Sequence, residues 1–155
     1  MTVPRQDRGG SAGPWIWLFP ATMVVHVAEE ALTAGTFPVW ITRVAGLDLS
    51  LGEFLAFNAV ALLFVVAGAF LARSQAWAVA ALGTAMATNV VFHLGGTLLT
   101  GTWSPGLASG VLVWIPLAAA ALVHAVRHAP RRHLAIGLAV GFLAHGAVVL
   151  SLVLA

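Results

Sequence analysis

Cysteine, lysine and tyrosine are missing from this 155-residue chain, and charged residues make up only 8% of it. Without cysteine there are no disulfides, no thiolate catalysis, no iron–sulfur cluster and no Cys-type zinc site, so a metal would have to be held by His, Asp, Glu, Asn or water. All seven cationic residues are arginines, too sparse for the basic face that nucleic acid requires, and no nucleic-acid partner is expected. Apolar residues fill the space instead. They account for 61% of the chain and give a mean hydropathy of +1.00, outside the range of a soluble domain. The lipid bilayer is therefore the expected solvent and the first expected partner.

A spanning helix takes about 20 predominantly apolar residues. The pattern predicts an all-α, polytopic membrane bundle of five transmembrane helices over 15–34, 51–72, 76–99, 107–126 and 134–155. Together they form one domain, 15–155, behind a disordered cytoplasmic tail, 1–14, that carries Pro4, Arg5, Asp7, Arg8 and a Gly9-Gly10 pair. The loop 35–50 is expected to hold a short interfacial helix near 39–44. In this topology Arg5, Arg8, Arg73, Arg127, Arg131 and Arg132 fall on one side and Arg43 alone on the other. The positive-inside rule then puts the N-terminus in the cytoplasm and the C-terminus outside. An Ala-, Gly-, Val- and Arg-rich chain without Lys suits a high-GC bacterium, and the multi-pass protein is placed in the bacterial inner membrane.

Within the predicted spans lie His26, Glu29, Glu30, Asn58, Asn89, His93 and His145. An ionised carboxylate at mid-membrane costs about 2.5–3.5 kcal/mol on insertion scales, so such groups pair, stay protonated or bind an ion. At 1.5 Å per residue these side chains sit about 16–26 Å from the Arg-rich ends, in one slab. Positions three and four apart share a helical face, so Glu29 and Glu30 flank His26. On the third span Ala81, Ala85, Asn89, His93 and Thr97 make a small or polar stripe, and on the fifth Gly137, Gly141 and His145 do the same; such faces turn toward neighbouring helices.

Three imidazoles and two carboxylates in a dry site match the ligand set of Zn, Fe or Mn. His26, Glu29, Glu30, His93 and His145 are the candidate ligands of a divalent metal, Fe or Zn, with Glu29 or Glu30 as the catalytic acid/base. Asn89 and Asn58 are candidates for outer hydrogen-bond partners. The plainer reading is that these groups only hydrogen-bond across helices; their number in one slab argues for more. Gly137-x-x-x-Gly141 is compatible with a homodimer, although such pairs more often serve packing inside a bundle. Trp40, Trp103 and Trp114 read as interface or core residues.

The run His26-Val-Ala-Glu29-Glu30 resembles the motif of the HXXEE-domain family of small bacterial membrane proteins. Asn89-x-x-x-His93 and the turn Trp103-Ser104-Pro105-Gly106 before an apolar helix with Pro116 are similar to that family's later segments. The resemblance covers nearly the whole chain, supports the site and names no reaction. The expected function is a membrane-embedded metal-dependent enzyme, hydrolytic or oxidative, acting on a lipid or other apolar small molecule. Two alternatives come from other classes: a small proton- or cation-translocating protein, and a metal-free isomerase or cyclase that uses a buried Glu as its acid.

Overall fold

The computed structural model describes residues 12–33 and 35–154. The expected tail, including Arg5 and Arg8, falls almost wholly outside the described residues. The described residues form helices and turns. A 3-10 turn, Pro14–Trp17, leads into α1, Leu18–Leu32. Then follow α2, Phe37–Ala45; α3, Leu51–Ala72; α4, Ala76–Thr100; α5, Leu107–His128; and α6, Arg131–Leu154. The short helix predicted near 39–44 is α2. The bounds of α3 are as predicted.

Local chemistry sets these boundaries. Ser50 and Glu53 form a reciprocal capping box at the start of α3, the Ser50 Oγ accepting from the Glu53 N–H while the Glu53 carboxylate accepts from the Ser50 N–H. Gly46 and Gly101 close α2 and α4 in the left-handed conformation, at φ +69° and +65°. Pro20 lies in the first turn of α1, where a missing N–H leaves no bond unmade. Pro116 follows a π segment, Gly110–Trp114, which absorbs the hydrogen bond the proline cannot make.

Among the described residues four helices, not five, are long and apolar enough to cross a membrane: α3, α4, α5 and α6. The expectation fails at the first span. α1 has 15 residues, about 22 Å at 1.5 Å per residue, against a hydrocarbon core of about 30 Å. Its last turn carries Glu29 and Glu30, and at Thr33 the backbone becomes extended, with φ −74° and ψ 152°. Leu63, Phe64, Leu112, Phe142 and Leu143 point outward and are exposed. In water they would form large sticky patches, whereas a multi-pass membrane protein turns such side chains to lipid.

α4 is the central helix. α6 runs parallel to it, with Gly137 against Trp77 and Ala80 and Gly141 one turn on against Ala81 and Thr84. A Cβ on either glycine would overlap a backbone carbonyl oxygen of α4, that of Trp77 or of Ala81. The Gly-x-x-x-Gly pair is thus consumed within the chain, which removes it as an argument for a homodimer. Because backbone cannot yield as a side chain would, Gly141→Leu should lower the thermal unfolding midpoint in detergent by roughly 5 °C or more. An unchanged midpoint would contradict this packing.

The Ala12 N–H donates to the Ala72 carbonyl at 2.9 Å, so the described chain starts at the Arg73 end of the bundle. The turn carrying Arg127, Arg131 and Arg132 joins α5 to α6 at that same end. At the opposite end α2 packs Phe37, Trp40 and Ile41 against Leu49 and Phe54, and the loop after α4 folds back over the bundle.

Candidate metal centre

α1, α4 and the start of α5 meet beneath that loop. His26 and Glu30, four residues apart, share one face of α1, and His93 projects from α4 toward them. All three are buried, at 1%, 4% and 1% exposure, a degree at which unpaired charge is not tolerated. His93 Nε2 lies 3.3 Å from Glu30 Oε1 and His26 Nε2 lies 3.7 Å from Glu30 Oε2. One ligand atom from each of the three residues falls within 4.8 Å of the others, an arrangement that could hold a metal ion.

The loop supplies the orientation. Ser104, Pro105, Gly106 and Leu107 form a β-turn closed by the Leu107 N–H to the Ser104 carbonyl at 3.1 Å. Gly106 has φ +90° and ψ −11°, the third-position geometry of a type II turn, which a Pro-Gly pair favours. Thr97 Oγ1 accepts from the Ser104 N–H at 3.0 Å and pins the turn to α4. Ser104 Oγ then meets His93 Nδ1 at 2.8 Å, and Ser109 Oγ meets His26 Nδ1 at 2.8 Å.

Each serine has one hydroxyl proton. Each hydroxyl also lies near a loop carbonyl, Ser104 Oγ at 3.4 Å from the Pro105 oxygen and Ser109 Oγ at 3.3 Å from the Gly106 oxygen, while the shorter 2.8 Å contacts to Nδ1 run in the direction that the tautomer of each ring sets. With each Nδ1 engaged by a serine, each imidazole presents its Nε2 to Glu30. His26 Nε2 is buried without a hydrogen-bond partner. Two Nε2 atoms and a carboxylate thus face one another, a set that could share a proton or hold a cation.

Aromatic rings wall the site. Trp114, in the π segment of α5, stacks on His26 with ring centroids 3.8 Å apart and planes at 25°. Phe37 and Phe92 each meet His93 at 5.6 Å. Gly106 caps the group so closely that a Cβ there would lie 2.8 Å from His26 Cε1, 2.9 Å from Glu30 Cγ and 3.0 Å from His93 Cε1.

The other sequence-predicted residues lie elsewhere. Glu29 faces the start of α5, where its two oxygens accept the Ala108 N–H at 3.1 Å and the Ser109 N–H at 2.7 Å. A carboxylate is favoured there by the exposed amides and the dipole of the helix end. His145 on α6 stands edge-on to Phe92 at 6.2 Å, outside the three-residue group. Asn58 donates to the Phe54 carbonyl of its own helix at 3.0 Å and so serves α3. The Asn89 Oδ1 is buried without a partner, one turn before His93. Beside Asn58 an apolar groove of about 210 Å³ between α1 and α3 is lined by Met23, Val24, Val27, Leu55, Ala59 and Leu62.

Ser104, Gly106, Ser109 and Trp114 were not singled out for the site by sequence reasoning. The Pro105-Gly106 pair was the available signal, since it fixes a turn and so brings the serine before it back onto α4. Against known proteins, the family described as "Protein of unknown function with HXXEE motif" matches residues 17–121, a stretch that contains every residue of this centre. No curated protein and no solved structure matches the chain.

Proposed function

The chain belongs to the HXXEE family, and from that premise we propose that it is a membrane-embedded, metal-dependent enzyme acting on a lipid or other apolar small molecule. The observation that carries the proposal is the pair of imidazole Nε2 atoms, oriented by the Ser104 and Ser109 contacts at Nδ1, converging on the Glu30 carboxylate. The 3.3 Å between His93 Nε2 and Glu30 Oε1 equals the separation of about 3.3 Å expected for two ligands each about 2.0–2.1 Å from a tetrahedral ion.

Two His and one carboxylate suit zinc or non-haem iron, and a three-ligand set leaves positions open for water and substrate, as catalytic rather than structural sites do. When bound, such an ion supplies Lewis-acid or oxygen-directed chemistry. His26, His93 and Glu30 hold the ion. Ser104 and Ser109 fix the imidazoles, the aromatic walls exclude water, and Glu29 positions the start of α5. The apolar groove along α1 and α3 supports a hydrocarbon-rich substrate reaching the protein from lipid. The arginine-rich end faces the cytoplasm in this reading, by the positive-inside rule, and the membrane is a bacterial inner membrane.

A metal-free reading rests on the same 3.3 Å contact, with a protonated Glu30 donating to His93 as in acid catalysis. Elemental analysis of protein purified without chelators separates the two. One zinc or iron ion per chain is expected, with affinity falling about 10–100-fold in Ser104→Ala, the usual cost of removing an outer partner of a ligating histidine. Active protein free of bound metal would end the first reading.

A further inference from the structure

α2 lies across the end of the bundle opposite the arginine-rich turn, its Phe37, Trp40 and Ile41 buried and its Thr42 and Arg43 exposed. Between α2 and the loop after α4 is a cleft of about 150 Å³ lined by Gly35, Val39, Trp40, Arg43, Thr102 and Trp103. One wall is held firmly. Trp40 packs so tightly on α4 that a Cβ on Gly96 would meet its ring at 2.6 Å. Its indole N–H donates to Thr102 Oγ1 at 3.0 Å, and Thr102 in turn contacts the Thr100 hydroxyl at 2.7 Å.

The cleft carries one charge. Among the described residues no carboxylate pairs with Arg43; the ion pairs found are those of Glu30 with His26 and His93. Arg43 is also out of place by topology. The other described arginines, Arg73, Arg127, Arg131 and Arg132, lie at the far end of the bundle, and an arginine is disfavoured at the end away from such a cluster. A local use for its charge explains the exception. A guanidinium presents a planar fork of donors that matches phosphate oxygens, and the flanking indoles of Trp40 and Trp103 suit head-group depth.

We infer that this cleft binds the phosphate oxyanion of an amphiphile, with Arg43 as its anchor. The inference deepens the function proposed above by naming an anionic amphiphile as substrate class, and it rests on that reading for the substrate role alone. The position fits that role: Thr102 and Trp103 lead directly into Ser104, which holds His93. Trp40 is also two ring contacts from His93, through Phe37 at 5.8 and 5.6 Å.

The test uses delipidated full chain in a non-ionic detergent, titrated by native mass spectrometry with phosphatidic acid, with diacylglycerol and with inorganic phosphate. Arg43→Gln should weaken phosphatidic acid binding about tenfold or more, as expected for loss of a charge-assisted phosphate contact. Diacylglycerol binding should not change, and Arg73→Gln should behave as wild type. Equal phosphatidic acid affinities in wild type and Arg43→Gln overturn the inference. Competition by inorganic phosphate would assign the site to the free anion, and failure to compete would assign it to the lipid; both outcomes support an oxyanion site. Metal content, read in the same samples, keeps the two readings apart. Arg43→Gln should retain the ion while Glu30→Gln loses it, and a Glu30→Gln protein that keeps its ion overturns the metal centre without touching the cleft.

Discussion

With the metal centre proposed above, Glu30→Gln should fold as the native chain does and fail to hold the ion, whereas Glu29→Gln should hold it and lose stability. The two carboxylates are adjacent in sequence, yet their surroundings differ in kind. Glu30 faces two imidazole Nε2 atoms at 3.3 and 3.7 Å. A glutamine amide can still donate to one of them, so the fold is preserved, but the anionic ligand is gone. Removal of a direct ligand exceeds the 10–100-fold cost of removing an outer partner, so a loss of at least about 100-fold in metal affinity is expected. Glu29 instead accepts two backbone N–H groups at the start of α5. Hydrogen bonds to a charged group contribute about 1.5–3 kcal/mol each, and the neutral amide keeps part of that. The thermal midpoint should therefore fall by several degrees while metal content stays within about tenfold of wild type. Equal metal loss in both variants would mean that the carboxylates act as a pair and that the geometric division between them is wrong.

Gly106→Ala should damage the candidate site directly, and Gly101→Ala is its control. Both glycines have positive φ, +90° and +65°, so both substitutions incur a backbone cost of about 1–2 kcal/mol. Only Gly106 adds a contact penalty. Its Cβ would press within 3.0 Å of His26, Glu30 and His93 at once, while a Cβ on Gly101 would meet nothing within 4 Å. Gly106→Ala should thus lower metal affinity at least about tenfold beyond any effect of Gly101→Ala, because side chains locked by stacking on Trp114 and by bonds to Ser104 and Ser109 cannot retreat without losing their aim. Matching metal titrations of the two variants would show that Gly106 serves only the turn.

The candidate ligands differ in how legible they were, and the reason is range. His26 and Glu30 are separated by four residues on one helix, so their shared face follows from helical periodicity. His93 was legible as a polar group at a matching depth on a neighbouring helix. His145 met the same criteria of depth and small-residue face, yet its ring meets Phe92 at 6.2 Å and lies outside the three-residue group. Choosing between Glu29 and Glu30 was beyond periodicity, because both flank His26; the start of α5 makes the choice by presenting amide groups to Glu29 alone.

Apolar periodicity and the positions of Gly, Pro and Arg were enough by themselves to establish the all-helical class, the long apolar helices α3 to α6, the short helix α2 and the His26–Glu30 pairing, since each depends on interactions within one segment or between that segment and its surroundings. The number of spanning helices, the turn of Ser104 onto His93, the capping of the site by Gly106 and the exclusion of His145 were decided by tertiary structure. Those outcomes depend on how far α1 extends before its backbone turns, and on which helix faces meet and how a loop folds back over them, and contacts between residues as distant as His26 and Ser109, 83 positions apart, leave no local periodicity in the chain.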